Sequence, residues 1–205
     1  MSFTPARITA TLAVLSAVVV VAPAADAKKP VKDAGPVLVD CGYSADTPFA
    51  PWHDKRGYVL TPDGGFENAA DGWTLDNGSA VAEGNETFQV GSPSDHQSLS
   101  LPAGSEATSP AMCVAKHDGM FRLFARSTGS KARLRVDVLY ANGKRGKRAV
   151  LRGNDAWAPT RKLAIALGRA KGKGKLSTAI VSLRFTPLAG DWQIDDVYLD
   201  PRLRH

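Results

Sequence analysis

Strict alternation of apolar and polar residues marks two stretches in the C-terminal half of the chain, residues 133–140 and 179–186. A period of two is typical of a strand with one face on a core and the other in water. The apolar positions of these stretches are Leu134, Val136, Val138, Tyr140, Ala179, Val181, Leu183 and Phe185.

Shorter strand-like runs recur at a spacing of roughly ten residues, separated by turn sequences such as those at 76–78 and 141–143. Only residues 164–171 have a helical pattern, and Gly168 weakens it. The pattern therefore predicts an all-β sandwich in one domain. The predicted strands are residues 37–41, 73–75, 87–90, 98–101, 120–126, 133–141, 148–151, 161–167, 177–186 and 192–199.

The first 27 residues are typical of a secretory signal peptide. Arg7 supplies a positive charge, residues 8–22 are mostly apolar, and residues 25–27 fit the small-x-small cleavage pattern. The apolar run is shorter than the roughly 20 residues that span a bilayer as a helix, although a single membrane anchor is the alternative. We expect a secreted protein with a flexible leader at 28–36 and a domain at 37–205, and no transmembrane segment after cleavage.

Cys41 and Cys113 are the two cysteines of the chain. In an oxidising compartment an even number of cysteines predicts a disulfide, which would here close a long loop and stabilise the fold by about 4 kcal/mol. Two free thiols are the alternative.

The formal net charge of +6 is unevenly distributed. Residues 142–175 contain eleven Lys or Arg and one acid, Asp155. Such a stretch can bind an anionic polymer, or it can form solvated loops that keep the protein soluble. We do not expect specific nucleic-acid binding.

Enzyme motifs are missing from the sequence. It contains no Gly-x-Ser-x-Gly, no His-Glu-x-x-His and no phosphate-binding loop, and its four histidines are scattered. No catalytic residue is predicted. A glycosidase that uses two carboxylates is an alternative, with the candidates Glu67, Glu83, Glu86, Asp195 and Asp196.

Three motifs at the two ends of the domain resemble those of calcium-containing jelly-roll carbohydrate-binding modules, which have the galactose-binding-domain-like fold. They are Gly-Gly-Phe-Glu at 64–67, Gly-Trp at 72–73 and Ile-Asp-Asp-Val at 194–197. The chain also resembles a family of secreted actinobacterial proteins without an assigned activity. That second likeness is carried by residues 41–42, 49–52, 99–104, 109–110, 121–126 and 192–201.

The resemblance implies a jelly-roll β-sandwich with a structural Ca²⁺. Its ligands would be Glu67, one or both of Asp195 and Asp196, and a backbone carbonyl near Gly65. Calcium takes six to eight oxygen ligands and accepts carboxylates and carbonyls together. Alternatively, these carboxylates cap turns or pair with arginines.

The resemblance also implies sugar binding by stacked aromatic side chains and hydrogen-bond donors beside them. We predict Trp157, Tyr140 and Arg135 as ligand-binding residues, with Trp157 the aromatic residue placed most readily at the surface, although packing in the core is the alternative for it too. Tyr140 shares a face with apolar positions, which instead favours packing in the core. Further candidates are Trp192, Tyr198, Arg133 and Arg184.

Together these observations predict a secreted, non-catalytic protein that binds a glycan or a cell-envelope polysaccharide. The alternative is an envelope-associated structural or interaction protein that binds an anionic polymer or a protein through residues 144–175. The third possibility is a glycan-cleaving enzyme, which would need two carboxylates in an open cleft.

Overall fold

Two antiparallel sheets bury their apolar faces against each other and form a jelly-roll β-sandwich. The computed structural model describes residues 41, 44–115, 119–165 and 178–200, all within one compact unit, Pro36–His205. The predicted signal peptide, the leader, most of the strand at 37–41, most of the helical pattern at 164–171 and the C-terminal part of the basic stretch lie outside the described residues.

The described residues form thirteen strands and one short 3₁₀ helix, Ala50–Trp52. The strands are β1 (Val59–Leu60), β2 (Thr74–Asp76), β3 (Ala80–Glu83), β4 (Gln97–Leu101), β5 (Glu106–Thr108), β6 (Met112–Ala115), β7 (Met120–Ser127), β8 (Arg133–Tyr140), β9 (Arg145–Arg152), β10 (Ala158–Pro159), β11 (Leu163–Ala164), β12 (Thr178–Ala189) and β13 (Trp192–Asp200).

The chain passes repeatedly from one sheet to the other. The seven-stranded sheet has the order β10-β7-β13-β4-β3, and in addition β1 pairs with β13 and β11 with β7. The six-stranded sheet has the order β2-β5-β12-β8-β9, and β6 also pairs with β12. Strand β13, which carries the second predicted motif, therefore lies at the centre of its sheet and contacts β1, β4 and β7.

The two alternating stretches form β8 and β12, which pair along almost their whole length. Their apolar positions face the other sheet, as predicted, and Tyr140 and Ala179 at the strand ends are only half-buried. The fully buried side chains of this set are Leu134, Val136, Val138, Val181, Leu183 and Phe185, each at most 1% exposed.

The prediction of a strand at 87–90 is wrong. The Glu86 carboxylate accepts hydrogen bonds from the backbone N–H groups of Phe88 and Val90. These bonds, with a positive φ of 53° at Gln89, close the segment into a turn. Strands β3, β5, β6 and β10 were not predicted, because each has at most four residues and little alternation.

A second apolar cluster covers the outer face of the seven-stranded sheet. In β7, Leu123 belongs to the core between the sheets and Phe124 to the outer cluster. Phe49, from the loop before β1, stacks on Phe124 at 5.5 Å between ring centroids. This sheet is therefore packed on both faces. We call Phe49, Tyr58, Phe124, Trp157 and Tyr198 the outer aromatic cluster.

The placement of Trp157 at the surface is also wrong. Its side chain belongs to the outer aromatic cluster and is 7% exposed. The Gly/Asn/Asp-rich segment before it indicated a loop, but β10 begins at the next residue and pairs with β7. That pairing holds the indole against the sheet, where the Arg126 guanidinium lies over its ring at 5.1 Å.

Cys41 and Cys113 form the predicted disulfide, with their Cα atoms 5.6 Å apart. The bond joins the first described residue to β6 and so fixes the chain before the outer aromatic cluster. No helix within the described residues is long and apolar enough to cross a membrane.

Candidate functional site

Two consecutive carboxylates are buried where β13 is irregular. Its pairing with β7 shifts register between Asp195 and Tyr198, and Asp196 has a positive φ of 49°. In a regular strand, neighbouring side chains point to opposite faces. Here both are buried: Asp195 is 0% and Asp196 2% exposed.

Asp195 organises the turn that follows Glu86. Its Oδ2 accepts a hydrogen bond from the Glu86 N–H at 2.9 Å, and its Oδ1 accepts one from the Asp196 N–H at 2.8 Å. Burial raises the pKa of Asp195 to about 8, and the charges of Asp196 and Glu86 act in the same direction.

Both carboxylate oxygens of Asp195 accept hydrogen bonds, but one oxygen of Asp196 does not. Its Oδ2 is buried and has no hydrogen-bond partner. Burial raises its pKa to about 7, and the charges of Glu86 and Asp95 add to this rise. The backbones of Gly65 and Gly91 lie close to Asp196 Oδ1. If each glycine were replaced by alanine, the new Cβ atom would lie 3.4 Å from this oxygen at position 65 and 3.1 Å from it at position 91.

Further carboxylates surround Asp196. A Cβ at Gly91 would also lie 2.5 Å from Asp95 Oδ2, so Asp95 and Asp196 approach the same glycine. Burial raises the pKa of Asp95, as does the charge of Glu67. In the part of the chain that the structure describes, Asp195, Asp196, Asp95 and Glu86 form no ion pair with Lys, Arg or His.

Glu67 bonds to the backbone at the start of β4. Its Oε1 accepts hydrogen bonds from the N–H groups of His96 at 2.8 Å and Gln97 at 2.7 Å. Its Oε2 lies 3.2 Å from His96 Nδ1. Glu67 therefore caps the turn before β4, and metal binding by this carboxylate stays a prediction.

The donor set around Asp196 fits a hard cation. Among the described residues no three or more His, Cys, Asp or Glu side chains are grouped as a metal centre, so main-chain carbonyls would have to complete the coordination. The unbonded Asp196 oxygen, the adjacent Asp95 carboxylate and the absence of a positive partner nevertheless suit Ca²⁺, which binds oxygen. We call Asp95, Asp196, Gly65 and Gly91 the acidic site.

A polar pocket of about 340 Å³ lies beside the end of β7 and the start of β13. The Arg126 Nε donates a hydrogen bond to Gln193 Oε1 across the two strands. Asp191 Oδ1 accepts one from the Ala103 N–H, and its own N–H donates to Thr128 Oγ1. We call this the end pocket, lined by Ser100, Arg126, Ser127, Thr128, Asp155, Asp191, Trp192 and Gln193.

A second cleft, of about 410 Å³, lies between β9 of the six-stranded sheet and β10 of the seven-stranded sheet. It borders Trp192, as the end pocket does. We call it the side cleft, lined by Ala125, Val150, Leu151, Arg152, Asn154, Ala158, Pro159, Thr160, Arg161 and Trp192.

The three predicted ligand-binding residues lie on different surfaces. Trp157 is in the outer aromatic cluster. Tyr140 packs against the core, and a Cβ at Gly146 would be 2.8 Å from its hydroxyl. Arg135 is on the outer face of the six-stranded sheet, with its Nε 2.9 Å from Asp137 Oδ2.

The other predicted ligand-binding candidates also lie apart from one another. Trp192 is 3% and Tyr198 7% exposed, and both are packing residues. Arg133 and Arg184 share the outer face of the six-stranded sheet with Arg135. Sequence reasoning missed Arg126, Gln193, Arg152 and Arg161, although the alternation of β7 and β13 places Arg126 and Gln193 opposite the core.

The converging carboxylates are not arranged as a glycosidase pair in an open cleft. Glu86 is 1%, Asp195 0% and Asp196 2% exposed. Substrate could not reach them without opening the fold, so these groups offer no support for the glycan-cleaving alternative.

No family model matches the chain, and no curated protein matches its sequence. Solved structures of similar fold include TmCBM61 in complex with beta-1,4-galactotriose, at 12% identity and a TM-score of 0.44 over 70% of this chain and 98% of that one. A carbohydrate-binding module from Cellvibrio mixtus lichenase 5A, in complex with cellotriose, has 10% identity and a TM-score of 0.45 over 66% and 95%.

A cyclase from Fischerella sp. TAU, in complex with 4-(1H-indol-3-yl)butan-2-one, is similar at 13% identity and a TM-score of 0.49 over 71% of this chain and 100% of that one. These likenesses are distant and concern the fold alone.

Proposed function

We propose that the protein is a secreted, non-catalytic binding protein for a glycan, and that the end pocket is its binding site. The observation that carries the proposal is the chemistry of that pocket. Hydroxyl, carboxylate, amide and guanidinium groups converge on about 340 Å³ of space. That is the size of a small-ligand site, and these groups together can donate and accept hydrogen bonds to several sugar hydroxyls.

The end pocket is also held in shape before any ligand binds. The hydrogen bond between Arg126 and Gln193, and the position of Arg126 over Trp157, fix two of its donors. A fixed donor loses less conformational entropy when it binds. The disulfide supports the extracellular location, since such bonds persist in oxidising compartments.

We further propose that the acidic site binds Ca²⁺ in a structural role. Asp196 and Asp95 would hold the ion, with a main-chain carbonyl near Gly65 completing the set. The ion would supply the positive charge that the buried Asp196 and the half-buried Asp95 otherwise lack. It would join the segment after β1 to the centre of β13 and take no part in chemistry.

Titration calorimetry with neutral and acidic oligosaccharides, at about 0.15 M salt, tests the proposed glycan site. We expect Arg126→Gln to weaken binding about tenfold, as is usual when a hydrogen bond to a charged group is lost, and Gln193→Ala to weaken it about fivefold, as for a neutral hydrogen bond. The control Lys55→Gln removes an exposed charge outside the pocket and should leave the affinity unchanged.

Two results would contradict the end pocket as the glycan site. One is the absence of binding to any oligosaccharide in the set. The other is binding that both pocket variants leave intact. Binding that disappears as salt rises, whatever the sugar, would favour the alternative of a charge-driven interaction through residues 144–175.

A further inference from the structure

Two arginines of the side cleft differ from most of the arginines around them. Arg152 and Arg161 are both exposed, and within the described residues neither side chain forms an ion pair, a hydrogen bond or a ring contact. Both line the same cleft, and no Asp or Glu is among its lining residues.

Neighbouring arginines on the six-stranded sheet already have partners. Arg148 donates to Asp137 Oδ1 at 2.9 Å, and Arg184 Nε lies 3.3 Å from Glu106 Oε1. Arg133, directly opposite Arg152 in the β8–β9 register, donates to the carbonyl oxygens of Ser130 and Ala132. Arg152 is thus the member of this pair whose guanidinium group is free to bind a ligand.

The walls of the side cleft complement these charges. Val150, 41% exposed, lies on one side, and the β10 residues Ala158 and Pro159 lie on the other. A ligand that filled the cleft would therefore place an anionic group on the guanidinium groups and an apolar surface on these walls. A sugar ring has such a surface on its C–H face, and a planar carboxylate matches the fork of a guanidinium group.

We propose that the side cleft binds the carboxylate of a uronic acid residue, so that the glycan recognised by this protein is an acidic polysaccharide. This inference rests on the proposed glycan-binding function and names its ligand class. Arg152 and Arg161 bind the carboxylate, while Val150, Ala158 and Pro159 contact the ring. The end pocket, across Trp192, binds a neighbouring sugar of the same chain.

Calorimetry on the full chain tests this inference with four probes: polygalacturonate, neutral β-1,4-galactan, dextran sulfate and inorganic phosphate. At about 0.15 M salt, where long-range charge effects are screened, polygalacturonate should bind at least tenfold more tightly than the other three. Arg152→Gln and Arg161→Gln should each weaken that binding about tenfold and leave binding of the neutral galactan unchanged.

Two further variants distinguish specific binding by the Arg152 guanidinium group from a general effect of positive charge. Arg152→Lys keeps the charge but loses the fork, so it should restore only part of the affinity lost in Arg152→Gln. Lys55→Gln removes one exposed charge elsewhere and should have no comparable effect. Thermal unfolding of each variant checks that the exposed substitutions leave the fold intact.

The inference is overturned if the neutral galactan or dextran sulfate binds as tightly as polygalacturonate, or if Lys55→Gln weakens binding as much as Arg152→Gln. It is also overturned if phosphate alone competes at equal concentration. If neutral galactan binds and Gln193→Ala abolishes that binding while Arg152→Gln does not affect acidic polymers, the proposed function stands and this inference fails. If no polysaccharide binds, both fail.

Discussion

Asp196 combines three features that are each unfavourable for an isolated aspartate. It is 2% exposed, its φ is 49°, and its Oδ2 has no hydrogen-bond partner. A buried, unpaired carboxylate destabilises a fold unless it is protonated or matched by a cation. A bound Ca²⁺ would account for the burial and for the unbonded oxygen, and Asp is among the residues that adopt a positive φ most readily.

The residue-scale prediction is that calcium stabilises the protein through Asp196. At a Ca²⁺ concentration about 100-fold above Kd, the wild type should unfold about 5–10 °C higher than in excess chelator. Asp196→Asn should abolish this difference and, in chelator, should unfold at or above the wild-type temperature because a buried charge is removed. Scanning calorimetry measures both values.

Asp76→Asn, which removes an exposed carboxylate from β2, is the matched control for this prediction and should retain the response to calcium. Equal unfolding temperatures of the wild type with calcium and with chelator would contradict the proposed calcium site. The sequence motifs drew attention to Asp196, whose role as a calcium ligand stays a prediction. They could not indicate Asp95 or Gly91, whose proximity to Asp196 depends on how the turn after Glu86 folds.

At the scale of elements, the turn at 86–90 is built on one side chain. The Glu86 carboxylate accepts two backbone N–H groups of its own turn, and the Glu86 N–H donates to Asp195. The alternation of Thr87, Phe88, Gln89 and Val90 favoured a strand. Sequence periodicity predicts a strand correctly where packing against the core determines the structure, as in β8 and β12. It predicts wrongly where a buried side chain bonds to the backbone and bends it into a turn, as Glu86 does.

We therefore expect Glu86→Ala to destabilise the fold by about 2–4 kcal/mol, since it leaves the N–H groups of Phe88 and Val90 without an acceptor. Glu86→Gln keeps one acceptor oxygen and should cost less. The measurement is urea unfolding followed by tryptophan fluorescence. A loss below about 0.5 kcal/mol for Glu86→Ala, the range of ordinary surface substitutions, would show that the turn does not depend on this carboxylate.

At the scale of the whole molecule, the all-β class, the alternating strands and the disulfide were predictable from the sequence. The outer aromatic cluster was not, because Phe49 and Trp157 meet Phe124 only after the loop before β1 and the segment before β10 fold onto β7. Composition shows that aromatic residues are present but not which face of a sheet they cover. That is why Trp157 was assigned to the surface.

The disulfide should contribute to the stability of the whole unit. Its sequence separation of 72 residues predicts that Cys41→Ser/Cys113→Ser lowers the free energy of unfolding by about 4 kcal/mol. Urea unfolding of the double variant and of the wild type, with and without reductant, measures the loss. Reductant should destabilise the wild type and leave the double variant unchanged. A double variant as stable as the oxidised wild type would contradict this expectation.

The outer aromatic cluster and the position of the end pocket and the side cleft, which both border Trp192, also bear on the valency of the proposed glycan binding. If both clefts bind one glycan, as proposed, and the covered sheet face binds none, each molecule would hold a polymer at a single place. A single copy would coat a polysaccharide without cross-linking two chains of it. Strong retention would then require many copies on one polymer or one surface, where rebinding supplies avidity that a single site lacks.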